Sequence, residues 1–156
     1  MTTQLRGLIL LAHGARDAAW ARPFEDVARR VREGNTALLV RNAYLEFMAP
    51  SLVDAGQSLA EAGCTTVAVL PVFLGAGGHV RKDVPLQLST LMDRHPQIDW
   101  QLRPAVGESP LLVAALARTH EWFEGDSGWA PPDPETLQDG AAEGIDPAPH
   151  AGPGAA

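Results

Sequence analysis

A chain of 156 residues, 46% hydrophobic and 20% charged, suits one globular domain with a core of its own. No apolar run approaches the roughly 20 residues that span a bilayer, and the single cysteine, Cys64, excludes an internal disulfide and fits a reducing cytoplasm. The net charge of −7 is unevenly placed: residues 125–156 hold six acids (Asp126, Asp133, Glu135, Asp139, Glu143, Asp146) and neither Lys nor Arg, leaving 13 acids against 12 bases before them and no basic stripe for nucleic acid.

The short apolar stretch that ends at His13 is expected to be a first strand rather than a signal peptide. Its core, Leu8-Ile9-Leu10-Leu11-Ala12, is continuously apolar, as strands covered on both faces are. Phe24, Val27, Ala28 and Val31 follow at helical spacing, with Pro23 near the first turn, where proline is tolerated. A second strand is expected from Ala37 toward Tyr44, and a helix from Pro50-Ser51 through Leu52, Ala55 and Leu59, stopped by Gly63. Cys64 follows as a small buried filler.

Val67 to Phe73 reads as the third strand and leads into a loop, Gly75-Ala76-Gly77-Gly78. A helix with Val84, Leu88, Leu91 and Met92 then runs to His95-Pro96, where His95 is placed to serve the last helical carbonyls. Ile98 to Leu102 is a short fourth strand, and the last helix carries Leu112, Ala115, Leu116, Thr119 and Phe123. Alternating strands and helices imply an α/β fold, a single three-layer domain over residues 1–124 with a parallel sheet of about four strands and helices on both faces. Residues 125–156, rich in Pro, Gly, Ala and acids, are expected to form a disordered tail; His150 stands alone in it.

Ligands of open parallel sheets bind outside the carboxyl ends of the strands. His13 follows the first strand, Glu46 the second, and His79 the third with its glycine loop, at successive intervals of 33 residues. If the three strands are neighbours, the three side chains converge on one sheet edge. Two imidazoles and a carboxylate are a common set for divalent first-row metals and leave coordination positions open. The same residues can also cap helices or bond loops. The glycine loop lacks the Lys-Ser/Thr of a nucleotide P-loop, and Val80 stands where a dinucleotide-binding pattern needs glycine. Gly77 and Gly78 are either a plain connection or the means by which a large flat ligand approaches the backbone. A histidine-phosphatase reading of His13-Gly14 fails at Ala12, where that pattern needs an arginine. His120, beside Glu121 and Trp122, is read as structural or surface.

Three segments resemble, in order, the signatures of the short-form sirohydrochlorin cobaltochelatase and ferrochelatase family. They are Leu11-Ala12-His13-Gly14-Ala15-Arg16-Asp17, Ala43-Tyr44-Leu45-Glu46 with Pro50-Ser51-Leu52, and Leu70 to Val80 with Asp83-Val84-Pro85. Ala15 departs from the serine common at that place. The resemblance implies a chelatase-like domain, a homodimer, and nucleotide-free insertion of a divalent metal (Co²⁺, alternatively Fe²⁺ or Ni²⁺) into sirohydrochlorin, a tetrapyrrole with eight carboxylates. No permanently bound cofactor and no membrane or nucleic-acid partner is implied.

It also implies that His13 and His79 are catalytic and handle the metal, with Glu46 completing the site or taking a proton. An imidazole with a pKa of about 6.5 can act as neutral ligand or as base. Arg16, Arg81 and Lys82 flank the histidines and are the candidate partners of the substrate carboxylates. Iron insertion for sirohaem and a non-catalytic metal or tetrapyrrole carrier are the alternatives to cobalt insertion for cobalamin.

Overall fold

The computed structural model describes residues 4–75 and 77–120, with His79 described by its backbone. Among these residues four strands, β1 Arg6–Ala12, β2 Leu38–Tyr44, β3 Thr66–Pro71 and β4 Asp99–Leu102, alternate with four helices, α1 Arg22–Gly34, α2 Leu52–Glu61, α3 Gly78–Arg94 and α4 Pro110–Ala117. The acidic segment 125–156, Phe123 and His150 lie outside the described residues. No described helix is long and apolar enough to cross a membrane.

The strands form one parallel sheet in the order β2-β1-β3-β4. Of its two inner strands, β1 is continuously apolar from Leu8 to Ala12, in keeping with the cover on both faces. Side chains alternate across it. Ile9 and Leu11 pack with Leu52 and Leu59 of α2 and Leu91 of α3. Leu10 points the other way, onto Ala28 of α1 and Val40 of β2. Helices thus cover both faces and the fold has the expected three layers.

Local signals set the helix boundaries. Pro23 lies in the first turn of α1. At α2 the Ser51 hydroxyl accepts from the Asp54 amide at 3.1 Å and the Asp54 carboxylate accepts from the Ser51 amide at 3.3 Å, a reciprocal capping box. Cys64, just after this helix, is buried.

Two expectations need correction. The last helix stops at Ala117 and passes into a 3-10 turn, Arg118–His120, instead of continuing through Thr119. No residue of α4 is buried, so tertiary packing does not support a further turn. In that turn the His120 ring nitrogen Nδ1 sits 3.0 Å from the Ala117 carbonyl. His95 serves α3 through its backbone N–H, which donates to Leu91, while its ring Nε2 reaches Gln57 of α2 at 2.7 Å. The α2–α3 packing brings that amide within hydrogen-bonding reach of the ring.

Candidate metal and tetrapyrrole site

The pairing of β1 with its neighbours continues past the strand ends. The Leu45 amide donates to Ala12 at 3.1 Å and the Glu46 amide to His13 at 2.9 Å. On the other side, the Val72 amide donates to Leu11 at 2.8 Å. These bonds carry His13 and Glu46 side by side to the carboxyl edge of the sheet. Gly14 permits the approach. Its φ of 88° is left-handed, and a Cβ there would lie 1.9 Å from the Glu46 carbonyl oxygen.

Beyond Val72 the chain turns Phe73 inward. Its ring is buried and stands 4.2 Å from the His13 imidazole, centroid to centroid, tilted by 37°. His13 therefore has one apolar wall while the residue remains exposed to solvent.

A cavity of about 340 Å³ opens at this edge. Its sheet side is made by His13, Leu45 and Glu46, and its helix side by Gly77, Val80, Asp83 and Gln87. The helix residues recur at three- and four-residue steps, one face of the first turns of α3. His79 is the second residue of α3, one turn before Asp83. Gly77 is the N-cap and Gly78 the first helical residue. A Cβ on either glycine would meet nothing within 4 Å, so packing does not demand glycine there and the space above them is open.

The sequence-derived candidates separate. His13, Glu46 and Gly77 line the cavity together. Arg16 instead lies over the exposed ring of Phe47, 5.0 Å from its centroid. Arg81 faces an adjoining recess and Lys82 is exposed. Among the described residues no three His, Cys, Asp or Glu side chains converge closely enough to hold a metal ion. Asp83 and Gln87, given no role by the sequence reasoning, line the opposite wall. The cavity thus brings an imidazole and two carboxylates to the walls of one open space, without gathering them into a ligand set.

The family model for CbiX matches residues 7–121. The chain belongs to the CbiX family. A CbiX protein from Marinobacter aquaeolei VT8 superimposes with a TM-score of 0.67 at 33% identity, over 78% of this chain and 99% of that one. The sirohydrochlorin cobaltochelatase of Methanocaldococcus jannaschii is 31% identical over 91 residues; the match covers 58% of this chain and 64%, just under two thirds, of that one. The sirohydrochlorin chelatase SirB of Bacillus subtilis subspecies spizizenii, in complex with cobalt, has the same fold at 19% identity and a TM-score of 0.67. That superposition covers 76% of this CbiX chain but 50% of SirB.

Proposed function

We propose that this CbiX protein is a cytoplasmic sirohydrochlorin chelatase that inserts Co²⁺ into the ring for cobalamin synthesis, without nucleotide. The observation that carries this reading is the cavity in which His13 and Glu46, held together by the Glu46–His13 backbone bond, face Asp83 across an open space. CbiX membership and the M. jannaschii cobaltochelatase support the choice of reaction and of metal. A buried lone cysteine fits a reducing compartment.

Insertion exchanges one divalent ion for the two N–H protons of the ring. Protein donors must hold the ion loosely enough for four ring nitrogens to replace them, and bases must take the protons. His13 and His79 are assigned to both tasks, with Glu46 as third ligand or proton acceptor. Asp83 adds negative charge that draws the cation in. Gly77 and Gly78 leave room for the flat ring. Arg16 and Lys82 stand near enough in sequence to meet its peripheral carboxylates.

The chain is also assigned as a homodimer. Helix α4 is apolar along its length, yet none of its residues is buried and Leu111 is 83% exposed. Such a surface is normally covered.

The test mixes purified protein with sirohydrochlorin and Co²⁺, Fe²⁺ or Ni²⁺ and follows the ring absorbance. Cobalt insertion faster than the protein-free rate is expected, with His79→Ala removing most of it. Acceleration by Fe²⁺ alone would move the assignment to sirohaem synthesis. Stoichiometric binding without turnover would make the protein a carrier.

A further inference from the structure

A second recess of about 230 Å³ adjoins the metal cavity. Val80 lines both, and Phe73, which touches the His13 ring, forms part of the recess wall. Its interior is apolar, with Phe73, Val84, Leu102 and Ala105. Two cations, Arg81 from α3 and Arg103 from the segment after β4, also line it. Neither is in an ion pair with a described residue, although Glu108 lines the same recess.

Backbone contacts hold the walls of the recess. The Arg103 amide donates to Val69 at 2.9 Å, and the Gly107 amide donates to Phe73 at 2.9 Å. A Cβ on Gly107 would lie 1.8 Å from the Leu74 carbonyl oxygen, so the 103–108 segment is pressed directly on the backbone after β3. Arg103 therefore starts from a fixed backbone position.

Apolar walls with unpaired guanidinium groups match an alkyl chain that ends in a carboxylate. A macrocycle bearing eight such groups is too large for the 340 Å³ cavity alone and must extend beyond it. We propose that the recess seats one carboxylate arm of the tetrapyrrole and that Arg103, with Arg81, binds that carboxylate. Arg103 thereby fixes which edge of the ring faces α3. This rests on the chelatase reading above.

The experiment titrates metal-free sirohydrochlorin into wild-type protein, Arg103→Gln and Arg103→Lys, following ring fluorescence, and measures cobalt insertion by each. Arg94→Gln, about 20 Å along α3 from Arg81, is the control. For Arg103→Gln the Kd and KM are expected to rise about tenfold with kcat within about twofold, and Arg103→Lys should recover part of the loss. Added salt should weaken wild-type binding more than that of Arg103→Gln. A wild type that metallates the ring while Arg103→Gln keeps its Kd and salt response refutes the recess and leaves the chelatase reading intact. A wild type that neither binds nor metallates the ring refutes both.

Discussion

The amide of Glu46 donates to the carbonyl of His13 at 2.9 Å, across loops that have already left their strands. The two candidate metal-handling residues are thus coupled through the backbone. Gly14 is the residue on which that coupling depends. Gly14→Ala should cost at least ~2 kcal/mol, because a left-handed φ and a Cβ clash act together. The urea midpoint should fall and metal insertion should fall with it. An alanine variant of wild-type stability and rate would show that the loops can part without consequence.

Asp83 lines the wall opposite His13 and is exposed, so its carboxylate can be neutralised with little effect on folding. For Asp83→Asn a loss on the order of tenfold in kcat/KM for cobalt insertion is expected, at an unchanged melting temperature. A variant with full activity would remove Asp83 from the site.

Burial pushes the Cys64 thiol above its usual range, Arg41 opposing weakly, and burial together with Glu25 does the same for the Tyr44 phenol. Both groups are acids that the unfolded chain loses protons from first. Their contribution to stability is complete below the unfolded thiol value of about 8.5 and is lost as pH rises through the raised folded values. The urea midpoint should hold between about pH 7 and 8 and decline toward pH 11. Thiol reagents should label Cys64 in urea and leave it intact in buffer at neutral pH.

Leu111 and Leu116 give α4 much of its exposed apolar surface. Leu111→Glu with Leu116→Glu should yield a monomer in sedimentation experiments where the wild type is a dimer. A wild-type monomer at micromolar concentration would end the homodimer assignment.

The 1–124 and 125–156 division predicts that a chain ending at Glu124 inserts metal at the full rate. Lost activity in that chain would assign the acidic segment a part in the reaction.

Much of this architecture was legible in sequence because its signals are local or periodic. The unbroken apolar run of β1 announced a strand covered on both faces, and Pro50-Ser51 marked the start of α2. The convergence of His13 and Glu46 followed from equal spacing along repeating strand–helix units. What stayed hidden depends on neighbours distant in sequence. Periodicity cannot say that α4 lies without a buried face, or that Gln57 draws off the His95 ring. Arg103 belongs to no motif, and only the sheet order β1-β3-β4 carries it to the wall of a recess shared with α3.

Strand β1 precedes both of its partners, β2 and β3, in the chain. Arg6 opposes Leu38 on one side and Thr66 on the other. As the chain leaves the ribosome, β2 can cover one flank of β1 early, but the other flank waits for residues up to Pro71. At about 5–20 residues per second that delay lasts a few seconds. Throughout it, a strand of Leu, Ile and Ala presents an unpaired edge suited to pairing with another nascent chain. The finished protein conceals this edge completely. Its risk of aggregation therefore falls during synthesis, and slowing translation between β2 and β3 should lower the soluble yield without altering the stability of the molecules that fold.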